Sequence, residues 1–164
     1  MNAPFTSESD IRGYGSNVCF VPIADIPIDA NGVNKMNERR LVSSGSRFEP
    51  EIGFSRAVRV GAHISVAGTA PISPAGGNAA LGDVYGQTKR CLEIIDAAIV
   101  EVGGALQDVT RTRVMLVDMA TWREAARAHG EYFGTIRPAC TFVQVSRFID
   151  PQWLVEIEAD AIAL

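Results

Sequence analysis

The residues best placed to do chemistry lie near the C-terminus. Between Val155 and Ile162, Glu156, Glu158 and Asp160 alternate with Val155, Ile157, Ala159 and Ala161. On a strand this puts three carboxylates on one side and the apolar residues on the other. Cys140 could supply a nucleophilic thiolate, but no histidine is placed near it by sequence, and a buried free cysteine is ordinarily an inert small hydrophobe. His129 falls on the apolar side of a helical pattern, which fits a hydrogen-bonded core histidine better than a general base. His63 and His129 stand 66 positions apart, with neither clustered cysteines nor HExxH, so no metal site and no cofactor is expected. Gly76, Gly77 and Gly82 do not make a phosphate loop, because Asp83 stands where the lysine would be. Gly13-Tyr14-Gly15 lacks the third glycine of a dinucleotide fingerprint.

Those residues need elements to hold them. Ala57 to Val60 and His63 to Gly68 flank Gly61-Ala62 and read as a hairpin. Asp83 is placed to cap a helix whose stripe is Val84, Thr88, Cys91, Leu92, Ile95, Ala98, Ile99 and Val102, closed by Gly103-Gly104. Val109 to Val117 reads as a strand with a wet or ion-paired side carrying Arg111 and Arg113. Thr121 and Glu124 have the spacing of a capping box, ahead of a face of Trp122, Ala125, Ala126, His129 and Phe133. Two strands, Cys140 to Val145 and Val155 to Ile162, follow.

The order is β-β-α-β-α-β-β, an α+β fold in which two amphipathic helices cover one face of a mixed sheet. The other face, with the carboxylates and Phe142, is expected to be covered by another copy of the chain. Residues 37–164 form this unit, and 1–36 read as a tail in which Val18 to Ile23 could add an edge strand and Asn31-Gly32 a turn.

Composition excludes several classes. The formal net charge of −4 disfavours a nucleic-acid partner, which calls for excess cation. Cys19, Cys91 and Cys140 are odd in number and lack CxxC spacing, so free thiols are expected. No apolar run approaches a membrane span and the N-terminus is no leader, so a cytoplasmic chain is expected.

Six segments carry a resemblance: GFSRAVRVG at 53–61, SVAGTAP at 65–71, GDVYGQTKRCLEIIDAAIVEVGG at 82–104, DVTRTRVMLVDM at 108–119, RPACTFVQV at 137–145 and VEIEADA at 155–161. Together they resemble the Rid family, also called YjgF/YER057c/UK114 and known for trimeric enamine/imine deaminases. The resemblance implies a fold like that of the small trimeric chorismate mutases, with small-molecule clefts between subunits. In the family's deaminases an arginine after a Pro-Ala pair binds the substrate carboxylate; here Pro138-Ala139 is followed by Cys140. A guanidinium fork gives two charge-assisted bonds to a carboxylate, and a thiol at best one weak one. The family's tyrosine position is Phe54, and its Ser-Gly-Gln run reads Ala67-Gly68-Thr69. The final-strand carboxylate thought to position the attacking water aligns with Glu156. Its alternative is an interface ion pair with Arg113 or Arg147. Arg137 is the cation nearest the missing arginine and could replace it in part, against a surface or helix-end role.

The expected function is a homotrimer that binds a metabolite or catalyses a non-standard hydrolysis, with little ordinary 2-aminoacrylate-type deamination. The alternatives are an authentic imine deaminase using Arg137 or a neighbouring subunit's arginine, and the ribonuclease or translation-inhibitor role attached to some relatives.

Overall fold

The computed structural model describes residues 38–164. The proposed tail strand at Val18 to Ile23 and the turn at Asn31-Gly32 lie outside the described residues. Six strands form one mixed sheet: β1 (Arg39–Val42), β2 (Ala57–Val60), β3 (His63–Thr69), β4 (Val109–Leu116), β5 (Ala139–Gln144) and β6 (Val155–Ile162). Their order is β1-β2-β3-β6-β4-β5, with only β4 and β5 parallel. The helices are a short α1 (Phe48–Ile52), α2 (Val84–Glu101) and α3 (Trp122–Phe133). This is the α+β arrangement the periodicity predicts, preceded by β1 and α1, which it does not. Neither segment is long enough to show a period, and β1 forms by pairing with β2, Leu41 opposite Val58.

Helix α2 is the spine of the core. All eight residues of its expected stripe are buried, together with Gln87. Burying each large aliphatic contributes about 1.5–3 kcal/mol. Asp83 occupies the N-cap position, but its side chain makes no capping bond. At the far end Gly103 adopts φ +80°, donating to the Val100 carbonyl at 2.9 Å, while the Gly104 amide reaches Ile99 O at 2.9 Å. The first of these glycines supplies the left-handed turn that stops the helix. Arg59 ties that terminus to the sheet, its Nη1 donating to Gly103 O at 2.7 Å and Val102 O at 3.1 Å. A cation is favoured there by the helix dipole.

The capping box expected at Thr121 does not form. A 3-10 turn, Met119–Thr121, precedes α3, so Thr121 is not extended, and its hydroxyl donates to Asp118 O at 2.7 Å. Asp118 caps instead, Oδ1 accepting from the Ala120 amide at 2.9 Å. The buried face of α3 is also rotated from the expected one: Ala125, Ala128 and Phe133 are buried, whereas Trp122 is exposed. His129 is half-buried, with Nε2 2.9 Å from Thr112 Oγ1 and its ring 4.6 Å from that of Phe133. Burial pushes its pKa down.

The entry into β6 is held by two side-chain amides, the buried Gln87 and the half-buried Asn78. Gln87 Nε2 donates to Gln152 O at 2.9 Å and its Oε1 accepts from the Leu154 amide at 2.8 Å. Asn78 reaches Asp150 and accepts from the Trp153 indole. The register of β6, and so the place of Glu156, is set by its pairing with β3 and β4. Among the described residues no helix is long and apolar enough to cross a membrane.

Candidate functional site

On β6, Val155, Ile157, Ala159 and Ala161 are buried beneath the helices, and Glu156, Glu158 and Asp160 emerge half-buried on the uncovered face, as alternation requires. Glu158 pairs with Arg113, its neighbour across β4. Asp160 accepts from Ser65 Oγ at 3.1 Å. Glu156 pairs with neither Arg113 nor Arg147: it sits opposite Met115, and burial pushes its pKa up while nearby Arg56 opposes the shift.

Glu156 is held by an unusually close backbone. A methyl group placed on Gly68 would lie 2.4 Å from Glu156 Oε1 and 3.2 Å from Cδ, so only a glycine lets the carboxylate rest there. The pairing of β3 with β6 shifts register between Val66 and Thr69, the mark of a bulge, and the freed carbonyls turn to Arg56. Arg56 Nη1 donates to Gly68 O at 2.8 Å and Thr69 Oγ1 at 2.9 Å, with Ala67 O farther off at 3.4 Å. Gly68 therefore has a carboxylate against its Cα and a guanidinium on its carbonyl. Burial lowers the Arg56 pKa, and Glu49 and Glu156 hold it up.

Beside this pair the uncovered face carries a groove of about 620 Å³ whose lining includes Phe54, Ser55, Ala67, Arg39, Arg113 and Asp160. Phe54 and Ala67 line this groove, and Gly68 and Glu156 touch each other at the bulge that follows Ala67 without lining it. Thr69 is buried and pairs with Ile157; its hydroxyl donates to Ala67 O at 2.8 Å and serves the bulge.

Cys140 and Arg137 lie elsewhere in the chain. Strand β5 is at the sheet edge, beyond both β6 and β4 from β3. Its parallel register sets Cys140, Phe142 and Gln144 opposite Thr112, Val114 and Leu116, which are buried on the helix side. The expectation that Phe142 shares the carboxylates' face is therefore corrected: its ring lies 6.2 Å from His129, and Thr141 and Val143 face the other way. Alternation within β5 divides its residues into two sets, but only pairing with β4 says which set faces the helices. Cys140 is exposed on this edge, and Arg137 takes φ +57° and closes α3, its amide donating to Phe133 O at 2.8 Å. Cys91 is buried in the core, with its thiol pKa pushed up by burial. Among the described residues no three His, Cys, Asp or Glu side chains gather to hold a metal ion.

Arg56 is the residue that spacing missed. A single arginine beginning a short strand after Phe54-Ser55 reads as a surface cation, and nothing in the spacing signals the bulge that partly buries it.

The family model described as endoribonuclease L-PSP matches residues 44–163. A RutC family protein of Pyrococcus abyssi is 41% identical over 108 residues, covering 66% of this chain and 84% of its own. The 3-aminoacrylate deaminase RutC of Acinetobacter baylyi is 34% identical over 98 residues, or 60% of this chain and 77% of its own. A crystal structure from Mycobacterium tuberculosis, described as a member of the YjgF/YER057c/UK114 family, superposes with a TM-score of 0.70 at 43% identity, covering 77% of this chain and 100% of that one. Sharing sequence with the first two, and both sequence and fold with the third, the chain belongs to the endoribonuclease L-PSP family, known equally as YjgF/YER057c/UK114.

Proposed function

We propose that the chain forms a homotrimer whose subunits cover one another's uncovered sheet faces, with a small-molecule cleft at each seam where Glu156 activates water for hydrolysis of a C=N bond. The observation that carries this is the Glu156 carboxylate, half-buried against Gly68 with its pKa raised by burial. A carboxylate whose pKa moves toward neutrality is a stronger base when ionised and can return the proton as an acid. Water adds across the C=N bond as Glu156 takes its proton; the proton passes to nitrogen, ammonia leaves and a carbonyl remains.

Assembly is supported by apolar residues left on the uncovered face, Leu41 at 57% and Ile162 at 40% exposure among them. Cys140 and Arg137 lie apart from Glu156 within one chain, so a cleft that uses them is shared between two subunits. Cys140 standing for the family's arginine removes a fixed cation, and loss of one partner of a buried charged contact costs roughly 2–5 kcal/mol. Ordinary 2-aminoacrylate-type imines are therefore poor substrates. A nucleic-acid substrate is disfavoured on this face, because Arg111 and Arg113 stand opposite Asp160 and Glu158.

The test is ammonia release from freshly generated 2-iminobutyrate and from 3-aminoacrylate. Turnover should fall at least about thirty-fold below that of an arginine-bearing relative, and Glu156→Gln should abolish what remains while ligand binding persists. Turnover equal to the relative's, or unchanged in Glu156→Gln, overturns the reading.

A further inference from the structure

We infer that Arg56 is a positioning residue for Glu156: by clamping the bulge between Val66 and Thr69, it holds Gly68 against the carboxylate and fixes where that carboxylate stands. The assignment deepens the proposed function and rests on its choice of Glu156 as the base.

A bulge interrupts the ladder and needs other bonds to hold its shape. Here one nitrogen joins all three of its residues. Arg56 Nη1 donates to Gly68 O at 2.8 Å, to Thr69 Oγ1 at 2.9 Å and, at greater length, to Ala67 O, while the Thr69 hydroxyl closes back on Ala67 O at 2.8 Å. The main chain of Arg56 is fixed as well: its amide donates to Val42 O at 2.8 Å, and its carbonyl accepts from the Ala67 amide at 3.0 Å. Phe54 and Ser55, which line the groove, immediately precede it in the chain. Arg56 thus sets the groove wall and the seat of Glu156 relative to each other.

The choice of side chain argues for this role over simple packing. Arg56 Nε is buried with no hydrogen-bond partner, and an unpaired buried donor costs stability. An apolar side chain would leave no such orphan, but it would release the acceptors of the bulge. A lysine would bring a point charge without the rigid planar fork that spans them. Arginine is the side chain that keeps the geometry at the expense of one donor. The geometry matters because nothing separates Gly68 from Glu156: a Cβ at position 68 would lie 2.4 Å from Oε1, so a slackened bulge changes the carboxylate's seat directly.

The experiment uses the full chain and Arg56→Lys, which keeps the charge and loses the fork. In the variant the nuclear Overhauser contact between Gly68 Hα and Glu156 Hγ should weaken, and the Glu156 carboxyl should titrate lower as water reaches it. For 2-iminobutyrate hydrolysis kcat should fall about ten-fold or more while KM stays within about two-fold, since misplacement acts on rate. Added to Gly68→Ala, which already displaces the carboxylate, Arg56→Lys should lower kcat by no more than about a further two-fold, because both act through one contact. In the wild-type protein the Arg56 Hη1 protons should be resolved and slow to exchange with water, a readout that stands even if the variants fail to fold. Rapidly exchanging Hη1 protons, an unchanged Glu156 contact and titration in Arg56→Lys, or independent effects in the double variant overturns the assignment. The spectra do not read turnover: a displaced Glu156 with hydrolysis intact refutes the hydrolytic reading alone, and a fallen kcat with Glu156 unmoved refutes this one alone.

Discussion

Gly68→Ala probes the contact on which the site depends. The added methyl would lie 2.4 Å from Glu156 Oε1, and ordinary contact begins at 3.4 Å, so the carboxylate must retreat by about 1 Å. The backbone itself tolerates alanine, since Gly68 is not among the residues of positive φ. The strain falls on the end of a half-buried side chain and should cost about 0.5–1.5 kcal/mol, the range for an off-rotamer torsion. That corresponds to no more than about 10 °C in Tm for a domain of this size. The effect on function should be larger, because a misplacement of about 1 Å lowers rate by up to roughly 10²-fold. Two measurements decide it: kcat/KM for imine hydrolysis, and a carbon-13 NMR titration of the Glu156 carboxyl. Displaced toward water, Glu156 should lose part of its burial and titrate lower, closer to an ordinary glutamate. If the titration is unmoved and turnover is intact, Gly68 does not position Glu156. If the protein unfolds instead, the close approach serves packing alone.

Two further predictions concern stability. Glu156 has a raised pKa in the fold, so the stability it contributes is fully present below 4.5 and lost as pH rises through the folded value. His129, lowered from 6.5, works in the opposite sense: its contribution is present above 6.5 and lost as pH falls through its folded pKa. Urea denaturation across pH 4–8 should show Glu156→Gln gaining on wild type as pH rises above about 4.5 and His129→Gln gaining as pH falls below about 6.5; parallel curves would refute both assignments. Gln87→Leu keeps the volume but leaves the Leu154 amide and the Gln152 carbonyl without their partner. Each should cost roughly 1–3 kcal/mol, seen as a lowered denaturant midpoint, and a total loss below about 1 kcal/mol would show that water replaces the side chain.

Much of the fold can be read from periodicity because α2 and β6 each satisfy a strict repeat. The helix is long enough for four turns of apolar residues, and β6 alternates without a break over eight. Elements that lack a period, β1 and α1, escape such reading. So does the capping of α3, where a 3-10 turn changes which residue is extended. At the site, parity puts Glu156 on the uncovered face, and Gly68, which the resemblance singled out, lies against it. Arg56 stays hidden, because its environment is made by a bulge between β3 and β6, segments 87 residues apart when Gly68 is counted against Val155.

The amino-acid sequence by itself determined the α+β class, the buried stripe of α2 and the side of β6 that bears carboxylates, since each follows from the repeat of a single element. Tertiary structure alone decided which face Cys140 and Phe142 take, how closely Gly68 approaches Glu156, and that Arg56 stands half-buried with Nε unpaired. Those depend on register between strands distant in the chain, and hydrogen bonding across a sheet fixes register in a way that no single strand's alternation encodes.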